Sequence, residues 1–227
     1  IIMTELSRNT SGQLLKESFF YALSKLIPGV VGLIAVILFF RWVGPTEYGR
    51  YSMIFSFTNL LAAISFGWLN QSILRYGSTF HPTSKLFPPL IVGSALGFLF
   101  ISIVLIIFSQ FQFPVKFPLL NTILLAAAIG IFNQIKVTFQ SKESPKKVII
   151  ITSIQSILMV VCTFMTIRIY GPQAISIIIG VSLGYFIPCL GVTRFIQFKN
   201  TLSDNNGIVV KKFFKFGAPL SIWFGLS

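Results

Sequence analysis

Acid is what this sequence has least of. Five carboxylates (Glu5, Glu17, Glu47, Glu143 and Asp204) stand against eighteen lysines and arginines, and all five fall outside or at the edges of the long apolar stretches. No carboxylate is therefore placed mid-membrane to bind Na⁺ or relay protons. Histidine is scarcer still: His81 stands alone beside Pro82, where a turn role is expected. Membrane-embedded acyltransferases and sugar-phosphate transferases need a placed histidine or metal-binding carboxylates. No catalytic residue, metal site or cofactor is expected on this composition. Cysteine is limited to Cys162 and Cys189. In antiparallel helices the two would differ in depth by roughly 10 Å at ~1.5 Å rise per residue, too far to bridge. They are expected to be packing residues.

Polar surface is also short. Only 10% of the chain is charged and 54% is apolar, with a mean hydropathy of +0.84. A soluble protein so composed would lack the polar surface to stay dispersed. The net charge of +13 would suggest nucleic-acid binding in a soluble protein, but basic residues of membrane proteins collect in cytoplasmic links. No nucleic acid is expected. What fills the chain is a series of apolar stretches near twenty residues long, the length needed to cross a bilayer's hydrocarbon core. The expected fold is an all-α, polytopic transmembrane helix bundle of six complete spans plus the start of a seventh. The spans are Phe19–Phe40, Tyr51–Leu69, Phe87–Phe108, Leu119–Phe139, Val148–Ile169 and Ala174–Phe195. The domain reading follows: an amphipathic N-terminal segment over 1–18, the bundle over 19–195, a linker over 196–212, and a seventh helix begun at 213–227. The first block is too long for a signal-peptide core, and no small-residue cleavage site follows it. The unfinished seventh helix, and Ile1-Ile2 ahead of Met3, make a fragment of a longer protein the expectation.

Two glycine-proline pairs break the links, Gly44-Pro45 and Gly171-Pro172. Glycine permits unusual φ, while proline fixes φ and lacks an N–H. Trp42, Tyr48 and Tyr51 mark one membrane interface, Trp68 and Tyr76 the other. With the N-terminus inside, the inner side carries Arg8, Lys16, Arg75, Lys85, Lys136, Lys142, Lys146, Lys147, Arg194, Lys199, Lys211, Lys212 and Lys215. The outer side carries Arg41, Arg50, Lys116 and Arg168. The positive-inside rule then puts the N-terminus in the cytoplasm. The clusters Lys142/Lys146/Lys147 and Lys211/Lys212/Lys215 suit anionic phospholipid headgroups at about 1 kcal/mol per residue.

Several spans carry a small or polar seam. Ser52, Ser56, Asn59, Ala63, Gly67 and Asn70 recur at helical spacing in the second. Gly130, Asn133 and Lys136 or Val137 continue toward Gln140 in the fourth. Thr152, Ser156, Met159, Thr163 and Thr166, with Gln155 beside them, do so in the fifth. Such seams serve close helix packing or line a wet cleft, and both readings stand for any one of them. Lys25 lies about six residues into the first span, on the face of Gly29, Gly32 and Val36. A cation there costs at least about 2.5–3.5 kcal/mol unless it faces a cavity or partner, or snorkels to the headgroups. Pro28-Gly29 follows and can serve as a helix hinge. A cleft with cations and no acids favours an anionic substrate.

The run Arg41-Trp42-Val43-Gly44-Pro45-Thr46-Glu47-Tyr48-Gly49-Arg50-Tyr51-Ser52 resembles the first link of polysaccharide exporters and O-antigen flippases, which carry G-P-x-x-Y-G-x-Y-S there. Phe66-Gly67-Trp68-Leu69-Asn70-Gln71-Ser72-Ile73-Leu74-Arg75-Tyr76 resembles the same family's end of span two. Lys215-Phe216-Gly217-Ala218-Pro219-Leu220 resembles its start of span seven. Gly44, Pro45, Tyr48 and Gly49 form the motif loop. The resemblance implies the first half of a multidrug/oligosaccharidyl-lipid/polysaccharide exporter with two pseudo-symmetric halves and alternating access. The implied cargo is an undecaprenyl-pyrophosphate-linked oligosaccharide, moved across a bacterial inner membrane for O-antigen, capsule or exopolysaccharide synthesis. A polysaccharide polymerase and glycosyltransferases are the implied partners. Many relatives have an acid just before the span-two glycine, where this chain has Ser65-Phe66, so no coupling role is carried over. On this expectation Lys25 and Arg75 attract the pyrophosphate, while Asn59, Asn133 and Gln155 line the path of the sugars. A drug antiporter of the same superfamily and a membrane enzyme acting on lipid-linked sugars are the alternatives.

Overall fold

The computed structural model describes residues 2–77, 87–110, 118–142, 144–193, 211, 213 and 215–217. Side chains before 19, and those of 20, 21, 24, 87, 109, 192 and 193, are left aside. The described residues form five helices: α1 Ile2–Tyr76, α2 Phe87–Gln110, α3 Leu119–Ser141, α4 Pro145–Tyr170 and α5 Ala174–Thr193. Each contains a stretch long and apolar enough to cross a membrane. Helices are what a bilayer demands, since they satisfy every backbone polar group internally. The bounds of α2 to α5 lie within three residues of the expected spans. His81, Lys85, Lys116, Glu143, the linker over 196–212 apart from Lys211, and the seventh helix beyond Gly217 fall outside the described residues.

The first link is the main correction. The link expected between Phe40 and Tyr51 is helical on both sides of Gly44, and the N-terminal segment over 1–18 is helical from Ile2 and continuous with α1. One residue interrupts α1: Gly44, at φ 81° and ψ 168°, a backbone state that costs any L-side chain. Pro45 follows, where its fixed φ opens a new helix and its missing N–H is not needed.

Contacts on either side show that Gly44 reverses the chain. Before it, Lys25 lies beside Lys136 and Val148, and the Trp42 ring packs tilted against Phe164, centroids 5.3 Å apart. After it, Glu47 bonds the Ala174 N–H, and Gly77 packs on Ser141. The first limb thus runs from the α3–α4 turn toward the α4–α5 turn, and the second runs back. Rings seal the bend: Phe39 meets Tyr51 edge-on at 6.0 Å and Tyr48 meets Phe40 at 5.8 Å. The sites of Trp42, Tyr48 and Tyr51 therefore share one end, and Trp68 and Tyr76 share the other with Phe213.

The core is apolar and dense. Phe66 is its keystone, with its ring wedged between Gly97 of α2 and Gly130 of α3. Around it pack Ala62, Ile101, Leu125, Ile129, Ile178 and Val181. Helices α4 and α5 form the tightest pair. Gly180 and Gly184 bring the α5 backbone onto Thr163 and Met159, and Thr166 Oγ1 donates to Ser176 O at 2.7 Å. The first limb is held least. Between Lys25 and Phe40 only Ala35 and Phe39 are buried, and a methyl at Gly29 or Gly32 would meet open space.

Candidate functional site

Helical periodicity puts Asn133, Lys136 and Gln140 on one face of α3, and Val148, Thr152 and Gln155 on one face of α4. These faces meet Lys25 and Pro28 of the first limb and Tyr185 of α5 around a cleft of about 170 Å³. Lys136 Nζ donates to Asn133 Oδ1 at 2.9 Å, one turn away on α3, which fixes the ammonium over the cleft. Thr152 and Gln155 are buried at its floor. The Tyr185 ring leans edge-on against Phe132, centroids 5.4 Å apart. Two lysines and no acid line the cleft, so its field is positive and its uncharged polar groups can serve as donors or acceptors. A second hollow of about 210 Å³, between α3 and α5, is almost wholly apolar. Its one hydroxyl, on Ser182, is used by Ile178 O.

Of the five residues expected to bind substrate, the structure gathers three: Lys25, Asn133 and Gln155. Asn59 lies elsewhere and donates to Phe55 O of its own helix at 2.9 Å. Arg75 ends α1 with its guanidinium 4.2 Å from the Phe216 ring centroid and 5.6 Å from that of Tyr76. It anchors the segment after residue 211 and does not reach the cleft. Pro28 lines the cleft, both Pro28 and Gly29 sit within continuous helix, and the backbone break in α1 is at Gly44. In the motif loop, Tyr48 packs on Phe40 and Tyr51, and Gly49 is exposed. Glu47, the only acid among the described side chains, ties that loop down. It accepts from Arg50 at 2.7 Å and from the Ala174 N–H at 3.0 Å, capping α5 from a distant segment.

Lys136, Gln140 and Thr152 stood in the seams read from sequence as packing or cleft-lining but not among the expected substrate-binding residues, and all three line the cleft. Tyr185 was not anticipated, since its neighbours Gly184 and Phe186 read as ordinary packing. The α4 seam divides in two. Its Met159–Thr166 part is packing against α5, and only its Thr152 end reaches the cleft. The stripe on the second limb runs along a half-exposed side: Ser56 and Ala63 are exposed, and Ser52, Asn59, Gly67 and Asn70 are partly so. Both cysteines are free thiols, and Cys189 Sγ lies 3.2 Å from Tyr185 O.

Basic residues divide by end. Arg75, Lys136, Lys142, Lys146, Lys147, Lys211 and Lys215 lie at the end that carries the α3–α4 turn. Arg41, Arg50 and Arg168 lie at the end of the Gly44 bend. In the α3–α4 turn, burial and then the charge of Lys147 draw the Lys142 pKa below the ordinary lysine value. Five apolar helices of spanning length decide the class. This is a membrane protein. Compared with protein-family models, curated proteins and solved structures, the chain matches none.

Proposed function

We propose that this chain is half of a flippase that passes an anionic, lipid-linked oligosaccharide across a bacterial inner membrane by alternating access. The observation that carries the reading is the cleft with Lys25 and Lys136 on facing elements and Asn133, Thr152 and Gln155 between them. Two ammonium groups suit the two phosphates of an undecaprenyl-pyrophosphate head, because a phosphate leaving water needs compensating charge and donors. The amides and hydroxyls beside them suit the hydroxyls of the first sugar. Counting the limbs of α1 separately gives six crossings. With the lysine-rich end in the cytoplasm, the N-terminus is cytoplasmic and the cleft lies toward the inner leaflet, where such a substrate would load. Carriage needs no covalent step, only a shift between inward- and outward-open populations. The two lysines lining the cleft repel cationic drugs, which weighs against an antiporter.

The test is the double substitution Lys25→Ala with Lys136→Ala in the intact protein, in cells whose surface polysaccharide depends on it. Surface polysaccharide is expected to fall while the amount of protein in the membrane holds. The paired change to arginine is expected to keep function. Normal polysaccharide from the double alanine variant would overturn the reading.

A further inference from the structure

The second limb of α1 and α3 run side by side in constant register. Gly130 meets Phe66, and Ser141 meets Gly77; each pair is 64 positions apart in sequence. Ile73 and Val137, also 64 apart, share one packed cluster. The same offset sets Asn70 opposite Gln134. Those two side chains hold complementary orphans. Asn70 Oδ1 and Gln134 Nε2 are both shut off from solvent, and neither has a hydrogen-bond partner among the described residues. Gln134 is 6% exposed. Helix α2 closes the same layer, since Gly93 packs on Leu69 and Ser94 Oγ lies 2.9 Å from the Gln134 amide.

We propose that Asn70 and Gln134 hold a single bound water molecule where the second limb, α2 and α3 meet, with Ser94 holding the Gln134 amide in place. Water is the ligand that fits whichever way the carboxamide is turned. The Ser94 hydroxyl has one proton, and its 2.6 Å contact with Leu90 O takes it. Ser94 Oγ then accepts from the Gln134 NH₂, and the Gln134 carbonyl turns toward Asn70. A water donating two hydrogen bonds satisfies both carbonyls. With the amide reversed, the water donates to Asn70 and accepts from Gln134. A buried water needs two to four polar partners, and this layer provides them in a surround of Leu69, Ile73 and Val137. Its effect is to fix the helical register that also sets the Phe66 layer.

Radiolytic hydroxyl-radical labelling of the intact protein in lipid nanodiscs tests this directly, because a bound water generates radicals where bulk solvent cannot reach. Leu69 and Ile73 are expected to label above Leu125 and Ile178, which are equally buried. The excess is expected to vanish in the Asn70→Leu/Gln134→Leu double variant. Labelling of Leu69 and Ile73 at the Leu125 level in the unaltered protein would overturn the proposal. Unfolding temperatures give a second reading. Each single leucine substitution strands one polar group and is expected to lower the midpoint, whereas the double removes both and is expected to recover most of the loss. Additive losses would overturn the shared site, as would a midpoint that rises with Na⁺ but not choline, which would make the occupant a cation.

Discussion

Gly180 offers the sharpest test of the packing. A methyl built there overlaps the Thr163 backbone and crowds its Oγ1 at 2.7 Å, against ordinary van der Waals contact near 3.4–4 Å. Backbone cannot swing aside as a side-chain tip can, so α4 and α5 must part by about 1 Å along their most closely packed stretch. Overpacking a tight site costs about 1–3 kcal/mol, and an obstructing backbone puts Gly180→Ala at the upper end. Intrinsic helix propensity works the other way by up to about 1 kcal/mol in alanine's favour, leaving a net loss of about 2 kcal/mol. At roughly 2–4 °C per kcal/mol for 150–250 residues, the midpoint should fall by about 4–8 °C. Loss of monodispersity on heating in detergent would measure it. Gly29→Ala is the control: its methyl meets open space, so only the propensity gain remains and the midpoint should hold or rise. Equal midpoints for Gly180→Ala and the unaltered protein would refute the close α4–α5 contact.

Phe66→Ala should cost about 3–5 kcal/mol, because its ring alone fills the space between Gly97 and Gly130; thermal unfolding in detergent checks it. Glu47→Gln should lose the charged half of two hydrogen bonds and about 1–2 kcal/mol, read as faster cleavage by protease at the α4–α5 turn. Gly44→Ala should lower the midpoint by the equivalent of about 1–2 kcal/mol, because φ 81° is strained for any L-side chain. On the proposed function, Lys136→Met should weaken transport more than Asn133→Ala, since the asparagine change leaves both ammonium groups in place to meet the anion. Initial flux in reconstituted vesicles would rank the two.

The class of fold was legible because hydrophobic length is a one-dimensional property: α2 to α5 could be marked out by apolar runs between polar or glycine-proline links. The bend at Gly44 was legible for the same reason, since glycine followed by proline is a backbone signal. Its helical surroundings were not. Tyr48 and Tyr51 pack across the bend on Phe40 and Phe39 and Trp42 packs on Phe164 of α4, tertiary contacts that accompany helix in a segment whose glycine-proline pair suggested a link. The seams failed in a telling way. Thr163 and Asn133 look alike on a wheel, but one is pressed against Gly180 and the other borders an open cleft. The partner helix decides, and a single helix's sequence does not contain it. Gly180 and Gly184, four residues apart, did carry the packing signal.

The cleft itself ties the weakest part of the bundle to its charge. Lys25 stands on the first limb, which is anchored near the bend by Ala35, Phe39 and Trp42 and packs little toward Lys25. Lys136 stands on α3, which is far more buried among its neighbours than the first limb is. On the proposed function, an anion between Lys25 and Lys136 attracts both walls of the cleft at once. The first limb is the less buried of the two, so it is the wall expected to move, about the Gly44 end, with no change required in the dense core around Phe66. Carriage needs a part that moves at low cost against a part that does not, and on this proposal the division falls within a single helix, on either side of one glycine.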